Sequence, residues 1–404
     1  MMRFRTPALL LFVILLVQPV FAQNKKEFAK AMRQLRAFAS SDSVGIQGAV
    51  DKWWNERKRN YQVPLTSQDS AVFLYRGKAT SVSWAGDFNG WGSKPFNNKG
   101  VRVRNTDIWI LPCLFPSAAR LDYKIILNGK DWILDPDNPN QQYSGVGGGS
   151  PNSELHMPAW RIDPALRVRK NVTSGTLTES RINSKILGYE VSYKTYQPAA
   201  SSPGTVLPVL YVTDGSEYLD PRLGNMTRVL DNLLADKRIV ALRVVFVDAR
   251  DPSNLSVNRR MEEMSLNEKY LAFFSDELIP AVEGTSASSL SGSRGILGTS
   301  LGGLTSAYFG FQRPDLFNRI GIQSPAFWYK PQIFTMAEQV SNKSLEISMT
   351  AGTVYDTSTE AAKMKSLVDK QGIRCTYLET PEGHSWGNWK NLLDDILIGL
   401  YGAR

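Results

Sequence analysis

Gly295-Ile296-Leu297-Gly298-Thr299-Ser300-Leu301-Gly302-Gly303-Leu304 is the stretch on which the fold turns. Gly295 to Gly298 reads as a short strand and the residues from Leu301 onward as a helix. Ser300 therefore sits at a strand-to-helix turn, with glycine two positions to either side. A side chain on so sharp a turn needs neighbours without bulk, and Gly298 and Gly302 supply that. The helix that follows points its positive end back at Ser300. The five-residue pattern G-x-S-x-G recurs by chance in turns rich in small residues, but a strand before it and a helix after it give the setting of a nucleophilic serine.

A serine hydroxyl is a weak nucleophile and needs a base. The chain holds two histidines. His156 falls in the segment joining the two halves of the chain and reads as a satisfied structural residue. His384 follows Ser300, in Pro381-Glu382-Gly383-His384-Ser385-Trp386, between the last strand and the last helix. The order serine, acid, histidine places the acid between them. The strand Leu345 to Gly352 precedes Asp356, the first carboxylate beyond it; Glu360 competes but lies about a turn into the next helix. Two backbone amides are needed for a developing oxyanion. One is that of Leu301. The other comes from the loop after the strand Val206 to Thr213, which begins Asp214-Gly215-Ser216, and both Gly215 and Ser216 remain candidates.

Outward from this centre, strands and helices alternate over residues 161–404, which predicts an α/β fold: a mostly parallel sheet sandwiched by helices. Strands are expected at 206–213, 239–247, 295–298, 320–324, 345–350 and 374–378, and helices at 265–284, from 301, at 358–370 and after 386. Residues 69–160 differ in character. Short alternating segments such as Ala71 to Arg76, Val82 to Ala85, Ile108 to Leu111 and Leu121 to Leu127 are separated by Gly, Asn, Asp and Pro. That pattern predicts a smaller, immunoglobulin-like all-β sandwich. Gly145 to Asn152 reads as a flexible link. Residues 23–68 read as helical, with Phe28, Met32, Leu35 and Phe38 at three- and four-residue spacing.

Arg3 and Arg5, the apolar run Ala8 to Val17 and the small-residue ending Val20-Phe21-Ala22 read as an export signal over residues 1–22, cleaved after Ala22. The expected location is therefore secreted or periplasmic, without a membrane anchor after cleavage. The apolar run is short of the ~20 residues that span a bilayer. The two cysteines, Cys113 and Cys375, have no metal-site spacing. They read as two buried thiols, with a disulfide as the alternative that an oxidising compartment allows. The net charge of +9 includes Arg3 and Arg5 and lacks a Lys/Arg block, which argues against a nucleic-acid partner.

The same residues carry a resemblance. Tyr211-Val-Thr-Asp214-Gly215, Asp248 with Arg260-Met-Glu-Glu263, Glu277-Leu-Ile-Pro280, Gly298 to Leu304, Arg313-Pro-Asp-Leu-Phe317 and Glu382-Gly-His-Ser-Trp386 with Trp389 resemble the enterochelin-esterase-like branch of the esterase D superfamily. That branch also includes feruloyl and acetylxylan esterases. The resemblance implies an α/β-hydrolase fold, a Ser300–Asp356–His384 triad, and carboxylic-ester hydrolysis without metal or organic cofactor. The acid loop varies within such a family, so Asp356 transfers less directly than the other two. Arg260 is open between a substrate contact and a salt bridge within the fold.

The β-rich region resembles the carbohydrate-binding module of glycogen-branching enzymes. It does so through Gly86-Asp87-Phe88-Asn89-Gly90-Trp91, Tyr123-Lys124, Asn128-Gly129-Lys130-Asp131-Trp132 and Asp135-Pro136. This resemblance implies glycan contact by Trp91, Lys124 and Trp132; the alternative is a structural module with Trp91 in its core. The expected substrate is a feruloyl or acetyl ester on a polysaccharide, with a catecholate siderophore ester as the alternative. An acyltransferase or a silent glycan-binding protein on the same scaffold are the rivals.

Overall fold

The computed structural model describes residues 20–41, 45–95, 97–145, 150–199, 205–284 and 294–403. Most of the expected export signal, residues 1–19, lies outside them, as do residues 146–149 of the expected link. Among the described residues no helix is long and apolar enough to cross a membrane.

The C-terminal half is built on eight strands: β1 (Thr176–Asn183), β2 (Glu190–Gln197), β3 (Val209–Val212), β4 (Arg243–Val247), β5 (Arg294–Thr299), β6 (Arg319–Gln323), β7 (Glu346–Gly352) and β8 (Arg374–Thr380). Their order across the sheet is β1-β2-β4-β3-β5-β6-β7-β8. The β1–β2 and β2–β4 pairs are antiparallel and every other pair is parallel. β3 (Val-Leu-Tyr-Val) is buried throughout because both faces are covered. Val209 and Tyr211 join a core with the helices Leu301–Gln312, Gln332–Gln339 and Ser358–Lys370, while Leu210 and Val212 join a second core with Met226–Ala235 and Leu393–Tyr401. This is the predicted α/β arrangement. β1 and β2 went unread in the sequence because β1, Thr-Leu-Thr-Glu-Ser-Arg-Ile-Asn, is an exposed edge strand without an apolar run. The helix expected at 265–284 is three consecutive helical pieces, Glu268–Phe273, Phe274–Leu278 and Ile279–Glu283.

Ahead of it stands a sandwich of two antiparallel sheets. One joins Leu65–Ser67, Ser70–Arg76, Ile108–Leu114 and Val101–Arg102. The other joins Val82–Gly86, Arg120–Leu127, Asn152–His156 and Gln141–Gln142, with Asp131–Ile133 paired to Arg120–Leu127. Phe73, Trp84, Phe88, Leu121 and Tyr123 fill the space between them. The helices Val20–Ser40 and Ile46–Arg59 cover the outer face of the first sheet, so Val72 and Leu74 are buried under Trp53 and Trp54 while Phe73 points inward. Asn152–His156, at the end of the expected link, returns as a strand of the sandwich beside Arg120–Tyr123.

The halves are stitched together by polar contacts. Arg120 pairs with Glu382 as an isolated parallel bridge. Trp160 Nε1 donates to Glu382 Oε1 at 3.1 Å, and Lys390 Nζ to Gln142 Oε1 at 2.5 Å. Cys113 and Cys375 are free thiols on different sheets, Cys113 buried and Cys375 half-buried, each pushed up to about 12 by burial.

Candidate active site

The turn between β5 and the helix Leu301–Gln312 holds Ser300 at φ 56° and ψ −114°. A positive φ is costly for a serine and persists only where the surroundings fix it. Here they do. Ser300 N donates to Gln323 O at 2.9 Å, and Ala326 N donates to Ser300 O at 2.9 Å, tying the turn to the end of β6. A Cβ on Gly298 would overlap the Gly302 backbone, and one on Gly302 would meet Thr213 Oγ1 at 2.5 Å. The two glycines let the strand, the helix and the end of β3 close on one another.

His384 Nε2 lies 3.0 Å from Ser300 Oγ, and His384 Nδ1 lies 2.6 Å from Asp356 Oδ1. The Asp356 carboxylate is fully buried although its backbone is on an open loop after β7. Its other oxygen, Oδ2, accepts from Ser324 Oγ at 2.6 Å and from Gly352 N at 2.7 Å. With that oxygen occupied, Oδ1 is left for the imidazole. A proton on Nδ1 then leaves Nε2 as the acceptor facing the serine hydroxyl. Such a line can withdraw the hydroxyl proton as Oγ attacks an electrophilic carbon.

The Leu301 amide is the first of its helix and has no acceptor within it. The loop after β3 is adjacent: Thr213 N donates to Leu297 O at 3.0 Å. Gly215 and Ser216 open the short helix Gly215–Leu219. Packing by itself requires a glycine at 215, since a Cβ there would come within 2.5 Å of the Phe246 carbonyl carbon and 2.6 Å of Val247 N. Ser216 lines a separate cleft of about 300 Å³ with Lys194, Asp248 and Arg250. Arg260 forms the salt bridge of the two readings left open: its Nε donates to Asp214 Oδ1 at 2.8 Å, and Nη2 to the Thr299 carbonyl at 3.2 Å.

His384 opens onto a cleft of about 200 Å³ whose far wall belongs to the β-sandwich. Asp87, Trp91, Asp122 and Tyr143 line it opposite His384 and Trp389. Trp91 is 37 % exposed and its Nε1 donates to Asp87 Oδ1 at 3.3 Å, so it is not core. Trp132 stands opposite Ile126, two residues from Lys124, while Tyr123 and Ile125, on either side of Lys124, are fully buried. Lys124 and Trp132 therefore share the outer face of the second sheet, with Trp91 at its end beside the cleft. Lys124 Nζ donates to Ser150 Oγ at 2.6 Å. Among the described residues no cluster of His, Cys, Asp and Glu is arranged to hold a metal ion.

Two residues of the site, Ser324 and Arg120, went unread, and a third, Trp389, was quoted beside the Glu382–Trp386 motif without a role. Ser324 follows β6 at φ 41° and holds Asp356; a serine ending a buried strand beside a proline was its only sign. Trp389 meets the His384 ring edge-on at 4.9 Å, one helical turn past the Glu382–Trp386 motif. Arg120, which touches Ser385, lies 265 residues away and gave no local signal.

Comparison with known proteins agrees with this geometry. The family model described as "Putative esterase" matches residues 184–400. Two Bacillus subtilis (strain 168) proteins, YjcH and YbbA, both described as uncharacterized, are similar to the chain. YjcH is 26 % identical over 235 residues, covering 55 % of this chain and 97 % of its own length. YbbA is 24 % identical over 188 residues, covering 44 % and 72 %. Among solved structures, the ferric enterobactin esterase of Salmonella typhimurium aligns with a TM-score of 0.71 at 17 % identity, over 86 % of this chain and 98 % of its own. The enterobactin esterase FES of Shigella flexneri, crystallised in the presence of enterobactin, aligns with a TM-score of 0.68 at 18 % identity, over 86 % and 97 %. At these identities the likeness is one of fold, and it extends through both halves of the chain.

Proposed function

The chain belongs to the putative esterase family, and from that premise we propose that it hydrolyses carboxylic esters through an acyl-enzyme formed on Ser300. The observation that carries the proposal is the unbroken line from Asp356 Oδ1 through His384 to Ser300 Oγ. Ser300 Oγ attacks the ester carbonyl as His384 Nε2 takes its proton. The oxyanion is received by the Leu301 amide with that of Gly215 or Ser216. Collapse expels the alcohol, which leaves with the proton from His384. Water then attacks the acyl-enzyme, again deprotonated by His384, and the acid departs. Asp356 holds the imidazole tautomer and stabilises the imidazolium.

For the substrate, we favour a feruloyl or acetyl ester on a polysaccharide. The support is the exposed face carrying Trp132 and Lys124, which ends at Trp91 beside His384; aromatic rings of this kind stack on sugar rings. A second reading is a catecholate siderophore ester. It is supported by the likeness in fold, over 86 % of this chain, to structures described as enterobactin esterases. Acyl transfer to a sugar by the same machinery is a third, which would show as transfer exceeding hydrolysis. Export belongs to the proposal too, supported by the basic, apolar and small-residue order of residues 1–22, and N-terminal sequencing of the mature protein tests it.

Ser300→Ala is expected to fold and to lose roughly three orders of magnitude or more in turnover of p-nitrophenyl acetate. Retention of most of the activity removes the assignment. Methyl ferulate, acetylated xylan and enterobactin, tried on one purified batch, separate the substrate readings. Affinity electrophoresis in gels containing starch, glycogen or xylan tests the glycan face. Unretarded migration in all of them leaves the siderophore reading ahead.

A further inference from the structure

We infer that Arg120, a residue of the β-sandwich, is a positioning residue for His384, so that the sandwich completes the active site mechanically as well as walling it. The inference rests on the reading of Ser300 and His384 as nucleophile and base.

The segment Thr380–Trp386 carries His384 away from β8, the last strand of the sheet. On one side the hydrolase holds it: Thr353 N donates to Thr380 O at 2.8 Å and Val354 N to Glu382 O at 3.1 Å, which ties it to the loop bearing Asp356. Among the described residues β8 is the edge strand of the sheet, and just beyond its end the sandwich meets the segment. Arg120 bridges to Glu382 along the backbone. Its Nη1 donates to Ser385 Oγ at 2.9 Å, one residue from His384. Its guanidinium lies flat on Gly387, where a Cβ would overlap it. Gly383 abuts Asp87 in the same way, and Trp160 holds the Glu382 side chain.

The guanidinium cannot swing. It is fully buried, Nε donates to Glu154 Oε1 at 2.7 Å, and Nη2 contacts Asp122. Asp122 in turn gives its backbone N–H to Asp87 Oδ2 at 2.7 Å. Arginine presents its donors in a rigid planar fork, so two edges fixed by sandwich carboxylates aim the third at Ser385. Every side chain around His384 in Glu382-Gly383-His384-Ser385-Trp386 is thereby accounted for. Glu382 meets Trp160, Gly383 meets Asp87, Ser385 meets Arg120, and Trp386 Nε1 donates to Glu217 Oε2 at 2.7 Å. Asp87 of the Gly86-Asp87-Phe88-Asn89-Gly90-Trp91 turn thus packs on this loop, while Trp91 at the end of the turn stays 37 % exposed. Loss of the tie lets the imidazole drift from the serine, and displacements of about 1 Å are costly to a proton transfer.

The test uses the full chain. Ser385→Ala and Arg120→Lys should each lower kcat on p-nitrophenyl acetate on the order of 10-fold with KM within about twofold, because capture is intact and alignment is lost. Ser385→Thr, which keeps the hydroxyl, should restore kcat. The double variant Arg120→Lys with Ser385→Ala should be no slower than the slower single, since both cut one contact. Leu111→Ala, a core truncation in the other sheet of the sandwich, should lower the thermal midpoint and leave kcat unchanged. If Arg120→Lys does not fold, Ser385→Ala decides. Wild-type kcat in Ser385→Ala, or a loss of kcat in Leu111→Ala matching that of the clamp variants, overturns the inference. An active Ser300→Ala instead overturns the reading beneath it.

Discussion

Ser300 and His384 were legible because chemistry leaves few places for them: one G-x-S-x-G between a strand and a helix, and one histidine downstream of it. Asp356 was legible only by its position after a strand, and what makes it fit was not. Its Oδ2 is saturated by Ser324 and Gly352, contacts that arise from two other strand ends. That saturation predicts what Asp356→Asn does. The amide oxygen keeps the Ser324 and Gly352 donors, so the NH2 faces His384 Nδ1. Nδ1 must then accept, the proton moves to Nε2, and Nε2 can no longer take the Ser300 proton. We expect kcat/KM on p-nitrophenyl acetate to fall roughly 10³–10⁴-fold with little change in thermal midpoint. A fall of less than about tenfold would show that the carboxylate does not set the tautomer. Gly215 carries the opposite lesson. Its place after β3 makes its amide an oxyanion candidate, but the lack of a side chain there is required by the neighbouring strand β4, which no local pattern announces.

Among the elements, the strands most readily found were those buried on both faces: β3, an unbroken apolar run, and β5 and β7, whose apolar residues stand among small and polar ones, were placed within a few residues. β1, the short helix Gln332–Gln339 and the return strand Asn152–His156 were missed, since each is polar or brief and is held by pairing rather than by pattern. The Gly86–Trp91 turn and the Glu382–Trp386 loop were each recognisable, but nothing local says that they touch. Their contact changes what Trp91 is expected to do. A tryptophan on a remote module would leave a small ester untouched, whereas Trp91 lines the cleft that His384 opens onto. Trp91→Ala should therefore raise KM for a soluble aryl ester several-fold, as loss of one aromatic contact of ~1 kcal/mol would. Trp132→Ala, at the other end of the face, should leave that KM unchanged while weakening any retention on polysaccharide gels. Equal KM effects from both variants would contradict the placement of the cleft.

At the scale of the whole molecule, the seam between sandwich and hydrolase is rich in buried carboxylates. Burial pushes Glu382 up to about 7 despite Arg120, Asp87 up to about 8 with Asp122 adding repulsion, and Glu217 up to about 7. Glu154 moves the other way, held low by Arg120 against its own burial. A carboxyl raised in the folded state favours folding most when it is protonated. Its contribution is complete below the unfolded value near 4 and is lost as pH rises through the folded one. The depressed Glu154 changes only on the acid side of that window. From pH 5 to pH 8 the raised group therefore decides the sign, and the thermal midpoint should fall. Glu382→Gln isolates one member: the amide oxygen still accepts from Trp160, and no charge forms beside it as pH rises. The variant should match the wild type at pH 5 and exceed it at pH 8 by roughly 2–4 °C, the shift for about 1 kcal/mol in a domain of 150–250 residues. Scanning calorimetry at both pH values checks it. A parallel fall in the two proteins would mean that the Glu382 carboxyl is already ionised in the seam at pH 5, with Arg120 outweighing its burial.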